Sequence, residues 1–252
     1  MAQFRHASPA IAILAIAGAF AASLVAVPGA DAAVMTWSAS GPSPEDPGNP
    51  AAASATFTTS AGHIQIVLSN DLSTSQIRSS GQGVSDLIFT LSNNAGSLGT
   101  TSASGQLGNV SGNPTPGVVT YTAGSPTRWI SAGHLSISGA NVTLELLGGS
   151  GQPQQLILPL IANNGQYTNA NNGVRNFNPY VIGPATFGLD LPGITAATTV
   201  TAATFSFGTN GDLPGLAGRC TSGCTPVPEP ASLALLGTAL AGLGVMRRRR
   251  RA

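Results

Sequence analysis

Side chains that could carry out chemistry are few in this chain, and they are widely spaced. Of the 252 residues, three are histidines, two are cysteines and none is a lysine. Catalysis needs a nucleophile with a base, or a metal ion with at least three ligands. His63 and His134 each begin an alternating segment and could share a metal ion, but no acidic residue has suitable spacing to complete the site. We therefore expect no catalytic residue, no metal site and no cofactor.

Carboxylates and amides in turns offer a second kind of chemistry, because Ca²⁺ prefers oxygen ligands. The candidates are Asn70-Asp71, Asp86 and Asn210-Gly211-Asp212. None of them matches a calcium-loop pattern, and Asn and Asp are ordinary turn residues. We expect them to act as turn residues. Paired carboxylates for glycoside hydrolysis keep a secreted hydrolase open as the third alternative for function.

Cys220 and Cys224 lie close together near the C-terminal end. In an oxidising compartment an even number of cysteines predicts a disulfide bond. The loop that this disulfide would close is very short, so we expect it to stabilise the fold little and to stiffen the chain locally. Residues 219–226 are interpreted as a cysteine-containing stalk.

The first 32 residues have the three parts of a secretory signal peptide. Arg5 and His6 form a short basic start, an apolar stretch covers residues 10–27, and the small residues Ala30 and Ala32 form a cleavage triplet. This N-terminal segment has no twin-Arg pair, so the expected partner is the Sec export machinery. The alternative is a permanent membrane anchor.

The C-terminal end also has three parts in a fixed order. A Pro-containing motif comes first, followed by sixteen apolar residues at 231–246 and then by five arginines. Sixteen residues in a helix span about 24 Å, at or just below the thickness of a bilayer core. Arginines directly after an apolar segment stay in the cytoplasm. We therefore predict a transmembrane helix at 231–246, with the middle of the chain translocated. The motif consists of Val227, Pro228, Glu229 and Pro230, and the basic cluster of Arg247, Arg248, Arg249, Arg250 and Arg251.

This tail, residues 227–251, resembles the PEP-CTERM sorting signal of Gram-negative bacteria. The resemblance implies processing by an exosortase, a membrane-embedded cysteine transpeptidase, at or near Pro228-Glu229-Pro230. It also implies that the protein resides transiently in the inner membrane and then reaches the cell surface or the extracellular matrix. Proteins with this tail are linked to exopolysaccharide and biofilm formation, but the resemblance carries no active site. The alternative is an ordinary tail anchor.

The middle of the chain has a composition that excludes several classes of protein. Between the two ends it carries four arginines against seven acidic residues, a net charge of −3, whereas the whole chain is +1. A mildly negative surface disfavours nucleic acid as a partner. The chain has 32 Gly and 18 Pro, which argues against a helical bundle or a coiled coil.

Apolar residues in this middle region recur at every second position, which is typical of β-strands. Segments 64–68, 87–91 and 142–146 show the pattern most clearly, and Gly, Pro, Asn and Ser separate the segments. The pattern predicts an all-β, jelly-roll-like β-sandwich at residues 53–218, preceded by an extended linker and a first strand at 33–52. Pro159 indicates an edge strand. Further strands are expected at 55–59, 118–122, 135–138, 156–161, 185–191 and 200–207.

These observations favour a non-enzymatic protein of the cell surface or the extracellular matrix. The alternative is a polysaccharide-binding module whose ligand contacts the Asn-rich segment 163–178, with Tyr167 and Phe177. We expect the aromatic residues to fill the core instead. The similarity between residues 60–66 and 131–137 is interpreted as chance. The aromatic residues considered for a carbohydrate-binding face are Trp37, Trp129, Tyr121, Tyr167 and Tyr180.

Overall fold

The computed structural model describes residues 32–112, 116–147 and 153–224. Within these ranges the secondary structure consists of β-strands and three short 3₁₀ helices, Ser80–Gln82, Thr127–Ile130 and Asn172–Phe177. The strands are β1 (Ala33–Pro42), β2 (Pro50–Ser60), β3 (His63–Asn70), β4 (Val84–Leu91), β5 (Thr101–Ser104), β6 (Leu107–Ser111), β7 (Gly117–Thr122), β8 (Leu135–Ser138), β9 (Asn141–Glu145), β10 (Ile157–Leu158), β11 (Gln166–Tyr167), β12 (Tyr180–Ile182), β13 (Ala185–Asp190), β14 (Val200–Phe207), β15 (Leu216–Ala217) and β16 (Arg219–Ser222).

The strands form two sheets, which confirms the predicted all-β class. The six-stranded sheet has the order β16-β1-β2-β3-β13-β5. The ten-stranded sheet has the order β11-β7-β6-β12-β10-β4-β14-β15, and in addition β9 pairs with β4 and β8 pairs with β9. All the strands named in the sequence analysis are present, although the segment at 156–161 contributes only Ile157–Leu158.

Successive side chains of a β-strand point to opposite faces of the sheet, so one set lies in the core and the other lies on the outer face. In β2, Ala53, Ala55 and Phe57 are buried, whereas Thr56 and Thr58 lie on the outer face. The inner faces of both sheets contribute to one hydrophobic core. Small Ala side chains occupy much of the inner face of β2, and Phe57 is the large buried side chain on this strand.

Two aromatic contacts mark the centre of this core. Phe57 of β2 packs against Phe89 of β4 with ring centroids 4.9 Å apart, which joins the two sheets directly. Trp129 packs against Phe187 of β13 at 5.5 Å. Fully burying a Phe side chain contributes roughly 1.5–3 kcal/mol, so these contacts account for a substantial share of the stability of the fold.

Three details differ from the sequence-based interpretation. Residues 42–50 do not lead into the first core strand, because β1 already belongs to the core and Pro42 faces Pro50 across a β1–β2 hairpin. The residues interpreted as a stalk include β16, an edge strand paired with β1. Pro159 does not mark an edge strand: β10 lies between β12 and β4, and Pro159 follows its last residue, where no ladder N–H is required.

The predicted signal peptide, residues 1–32, and the predicted transmembrane helix, residues 231–246, fall outside the described residues, apart from Ala32. In the part of the chain that the structure describes, no helix has the length and apolar character needed to cross a membrane.

Candidate functional site

The chain leaves the folded domain at the edge of the six-stranded sheet. There β16, the last strand, pairs antiparallel with β1, the first, with Thr36 opposite Ser222. The Thr221 hydroxyl donates a hydrogen bond to the Thr36 carbonyl oxygen at 3.1 Å. Gly223 has a φ of +71°, and a Cβ at this position would lie 1.9 Å from the Val34 carbonyl oxygen. Only glycine fits here, so the chain can turn away from the sheet close to β1.

A disulfide bond fixes this exit. Cys220 in β16 is bonded to Cys224, with the two Cα atoms 6.1 Å apart. Both cysteines are partly buried against the core. The residues of the predicted sorting motif lie outside the described residues, and Val227 comes three positions after Cys224 in the sequence. The tail therefore begins almost directly at the edge of the sheet.

An open cleft adjoins this edge. Its lining supplies hydroxyl groups and one guanidinium group, and it contains no carboxylate and no imidazole. It therefore provides no acid–base pair. The lining residues are Ser38, Ala39, Ser40, Ala217, Arg219 and Thr221.

His63 lies on the outer face of the same sheet, half-exposed. Its Nδ1 is 2.8 Å from Oδ1 of Asp190, which faces it across the β3–β13 pair. The Thr100 hydroxyl donates to the other carboxylate oxygen. These hydrogen bonds, first that of Thr100 and then that of His63, lower the pKa of Asp190. The sequence gives no signal for this pair, because the two residues are 127 positions apart and only strand register brings them together.

His134 lies in the turn before β8 of the other sheet, so the two histidines do not form a common site. Its Nδ1 lies 2.8 Å from the carbonyl oxygen of Glu145. Gly62 and Gly133 both have a positive φ in the turn before the histidine, but the first turn joins two strands and the second follows a 3₁₀ helix. The described residues contain no group of three or more His, Cys, Asp or Glu that could hold a metal ion.

Most of the oxygen donors considered for Ca²⁺ stabilise the fold locally. The buried Asn70 side chain donates to the carbonyl oxygens of Gln82 and Ile157, at 2.8 and 3.1 Å. Asp71 accepts a hydrogen bond from the Ser54 hydroxyl at 3.0 Å. The Asn210 side chain accepts from the Asp212 amide at 3.0 Å, as in a turn.

Asp86 is the exception among these residues. It is only 5% exposed, and its Oδ1 has no hydrogen-bond partner among the described residues. The Ser85 hydroxyl donates to its Oδ2 at 3.1 Å. Burial raises the pKa of Asp86 to about 6, and the charge of Glu145, directly opposite on β9, acts in the same direction. The Ser85 hydroxyl and the backbone N–H groups of Leu147 and Leu146 act in the opposite direction. Sequence analysis missed this carboxylate pair, because the register of β4 and β9 cannot be read from either strand alone.

Most of the aromatic residues considered for a carbohydrate-binding face lie in the core, as predicted, whereas Tyr121 and Phe177 are only partly buried against it. Trp129, Tyr167 and Tyr180 are fully buried. Trp129 donates through its indole N–H to the Gln155 carbonyl oxygen at 2.9 Å. The Tyr167 hydroxyl donates to the carbonyl oxygen of Pro159 at 2.6 Å. Tyr167 is therefore not available to a ligand at the Asn-rich segment 163–178.

Comparison with known proteins identifies the tail. Residues 226–251 match the family model of the PEP-CTERM protein-sorting motif. The chain thus combines an all-β domain with a C-terminal sorting tail, and the tail carries the PEP-CTERM motif, as the sequence predicted. This motif implies processing by an exosortase and export toward the cell surface. Searches of curated proteins and of solved structures found no match.

Proposed function

We propose that this protein is a non-enzymatic component of the cell surface or the extracellular matrix, delivered there by exosortase processing of its tail. The observation that carries the proposal is the PEP-CTERM motif at residues 226–251, directly after an all-β domain. The Sec machinery would export the chain, the apolar segment at 231–246 would hold it transiently in the inner membrane, and Arg247 to Arg251 would remain in the cytoplasm. The exported domain then associates with exopolysaccharide.

The exit at β16 supports this proposal. The first and last strands are neighbours, so a signal peptide before β1 and a tail after β16 leave from the same edge of the domain. Val227 follows Cys224 by three positions, so chain length alone keeps it within about 11 Å of the disulfide. The enzyme that cuts at the motif therefore works close to the folded domain.

The contacts made by the histidine and cysteine side chains support a non-enzymatic role. His63 is paired with Asp190, His134 with the Glu145 backbone, and Cys220 with Cys224. Each of these contacts stabilises a strand, a turn or the chain exit. None of them combines a nucleophile, a base and a cavity, which an enzyme of the hydrolase type needs.

Intact mass and fractionation of the protein from its own cells test the proposal. We expect a mass that lacks residues after the cleavage point near Pro228-Glu229-Pro230, in material recovered outside the inner membrane. Changing Pro228 and Pro230 to Ala should leave the tail in place and the protein in the membrane. Pro214→Ala is the matched control, because it makes the same chemical change at an exposed position outside the motif and should be processed normally.

A full-length mass in the inner membrane for the unmodified protein would contradict exosortase sorting. The tail would then be an ordinary anchor, and the domain would act at the periplasmic face. An added mass on a correctly cleaved chain would indicate glycosylation and would support a role in the matrix.

A further inference from the structure

Two carboxylates face each other on the outer side of the ten-stranded sheet. Asp86 of β4 is directly opposite Glu145 of β9. Opposite residues of an antiparallel pair point to the same face, with Cβ atoms about 4.5–5.5 Å apart, and like charges in this arrangement destabilise a sheet. The third strand of this row contributes a hydroxyl, because Ser206 of β14 is the register partner of Asp86 on its other side.

A loop comes close to the neighbours of Asp86, which is only 5% exposed although it lies on an outer face. A Cβ built on Gly211 would lie 3.5 Å from the Leu147 side chain, two residues after Glu145. A Cβ on Gly215 would lie 3.0 Å from the Ser206 hydroxyl oxygen. The loop at 208–215 therefore approaches the sheet on both sides of Asp86.

Among the described residues, no positive side chain forms an ion pair with these two carboxylates. Within the described residues, the one ion pair shorter than 4.0 Å joins His63 and Asp190, and it lies on the other sheet. The Nδ1 atom of His134 lies 2.8 Å from the Glu145 backbone carbonyl oxygen, and this imidazole forms no ion pair with either carboxylate. Asp86 meanwhile has a buried Oδ1 without a hydrogen-bond partner in the described part of the chain. A buried, unpartnered carboxylate oxygen next to a second carboxylate lacks a counter-charge.

We propose that Asp86 and Glu145 bind a hard divalent cation such as Ca²⁺. Asp86 Oδ1 and the Glu145 carboxylate supply the charged ligands, and the Ser206 hydroxyl adds a neutral oxygen on the same face. Ca²⁺ accepts such all-oxygen sets with water completing its shell. With only two carboxylates the site resembles weak extracellular ones, whose Kd is about 10⁻⁴–10⁻³ M.

Thermal unfolding of the full-length chain in detergent tests the proposal. After treatment with EDTA, the protein is dialysed and heated with or without about 10 mM CaCl₂, and NaCl matches the ionic strength. At this concentration the ion exceeds its Kd about 10- to 100-fold, so we expect Tm to rise by about 3–10 °C. Equilibrium dialysis should find one Ca²⁺ per chain.

Two variants assign the effect to the site. Asp86→Asn and Glu145→Gln should each abolish the Ca²⁺-dependent rise in Tm. In EDTA, Asp86→Asn should be at least as stable as the unmodified protein, because the amide avoids burying a charge and removes the repulsion from Glu145. This result would confirm that the variant folds. Asp71→Asn is the matched control: it makes the same change beside the other sheet and should keep the full response.

Three results would overturn the proposal. The unmodified protein could show no rise in Tm with Ca²⁺, or Asp86→Asn could keep the rise, or Asp71→Asn could lose it. The first result, together with a more stable Asp86→Asn variant, would mean that a proton rather than a metal ion offsets the repulsion. None of these results bears on the processing of the tail, so the site and the sorting function fail or succeed separately.

Discussion

The buried carboxyl group of Asp86 predicts an unusual dependence of stability on pH. Its pKa is about 6 in the folded protein, against an ordinary value of 3.8, because burial disfavours the charged form. Replacing it with Asn keeps the size of the side chain and removes the ionisation. We therefore expect Asp86→Asn to stabilise the protein at neutral pH in the absence of divalent ions.

The sign and size of the effect follow from proton linkage. Well below about pH 4, Asp86 is protonated in both the folded and the unfolded chain, so the variant gains nothing. Between about pH 4 and pH 6 the unfolded chain ionises first, and the free energy of unfolding falls. Above about pH 6 the penalty is constant at about 3 kcal/mol, since each unit of pKa corresponds to about 1.4 kcal/mol. The Asp86→Asn variant avoids this penalty, which corresponds to a Tm higher by about 6–12 °C at about pH 8.

The assay is thermal unfolding in EDTA at about pH 3.5, 5, 6 and 8, with the variant and the unmodified protein in parallel. The difference in Tm should be near zero at the lowest pH and should reach its full value by about pH 7. Asp190→Asn is a control of opposite sign: the pKa of Asp190 is lowered in the folded state, so this variant should lose stability at neutral pH, and the loss should become smaller toward the lowest pH. A difference between Asp86→Asn and the unmodified protein that does not change with pH would refute the reasoning.

Two further predictions concern the core. Phe57→Ala removes the ring that packs on Phe89 between the two sheets and should lower the free energy of unfolding by about 3–5 kcal/mol, measured by thermal unfolding. A loss below about 1 kcal/mol would mean that the two sheets do not contact each other at this point. Tyr167→Phe leaves the buried Pro159 carbonyl oxygen without its hydroxyl donor and should cost about 1–3 kcal/mol. Native-like stability of Tyr167→Phe, measured in the same way, would show that Tyr167 is exposed after all.

The sequence predicts strands well where strict alternation runs for five or more residues. Segments such as 64–68 and 142–146 have large apolar residues on one face, and a sheet with one buried face fixes them in place. Two short strands are poorly predicted by the sequence: β5, with the residues Thr-Ser-Ala-Ser, and β16. These strands are four residues long with weak apolar patterns, and each exists because a longer neighbour, β13 or β1, offers free hydrogen-bonding groups.

The functional features also differ in how far the sequence predicts them. The tail is contiguous in sequence, and its order of motif, apolar segment and arginines can be read directly. The Asp86–Glu145 pair and the His63–Asp190 pair depend on the register between strands that are distant in the chain. A single sequence shows the members of such pairs as scattered polar residues, because nothing local distinguishes a buried outer-face carboxylate from a solvated one.

The pairing of the first strand with the last has a consequence for aggregation. β1 is ten residues long, and β16 covers its outer edge at residues 36–38. A chain that crosses a membrane from its N-terminus presents β1 first and residues 219–222 last. Throughout that interval β1 has an open edge, and an open edge is a template for pairing with another chain. Protection against self-association is thus completed only by the final residues of the domain, immediately before the tail.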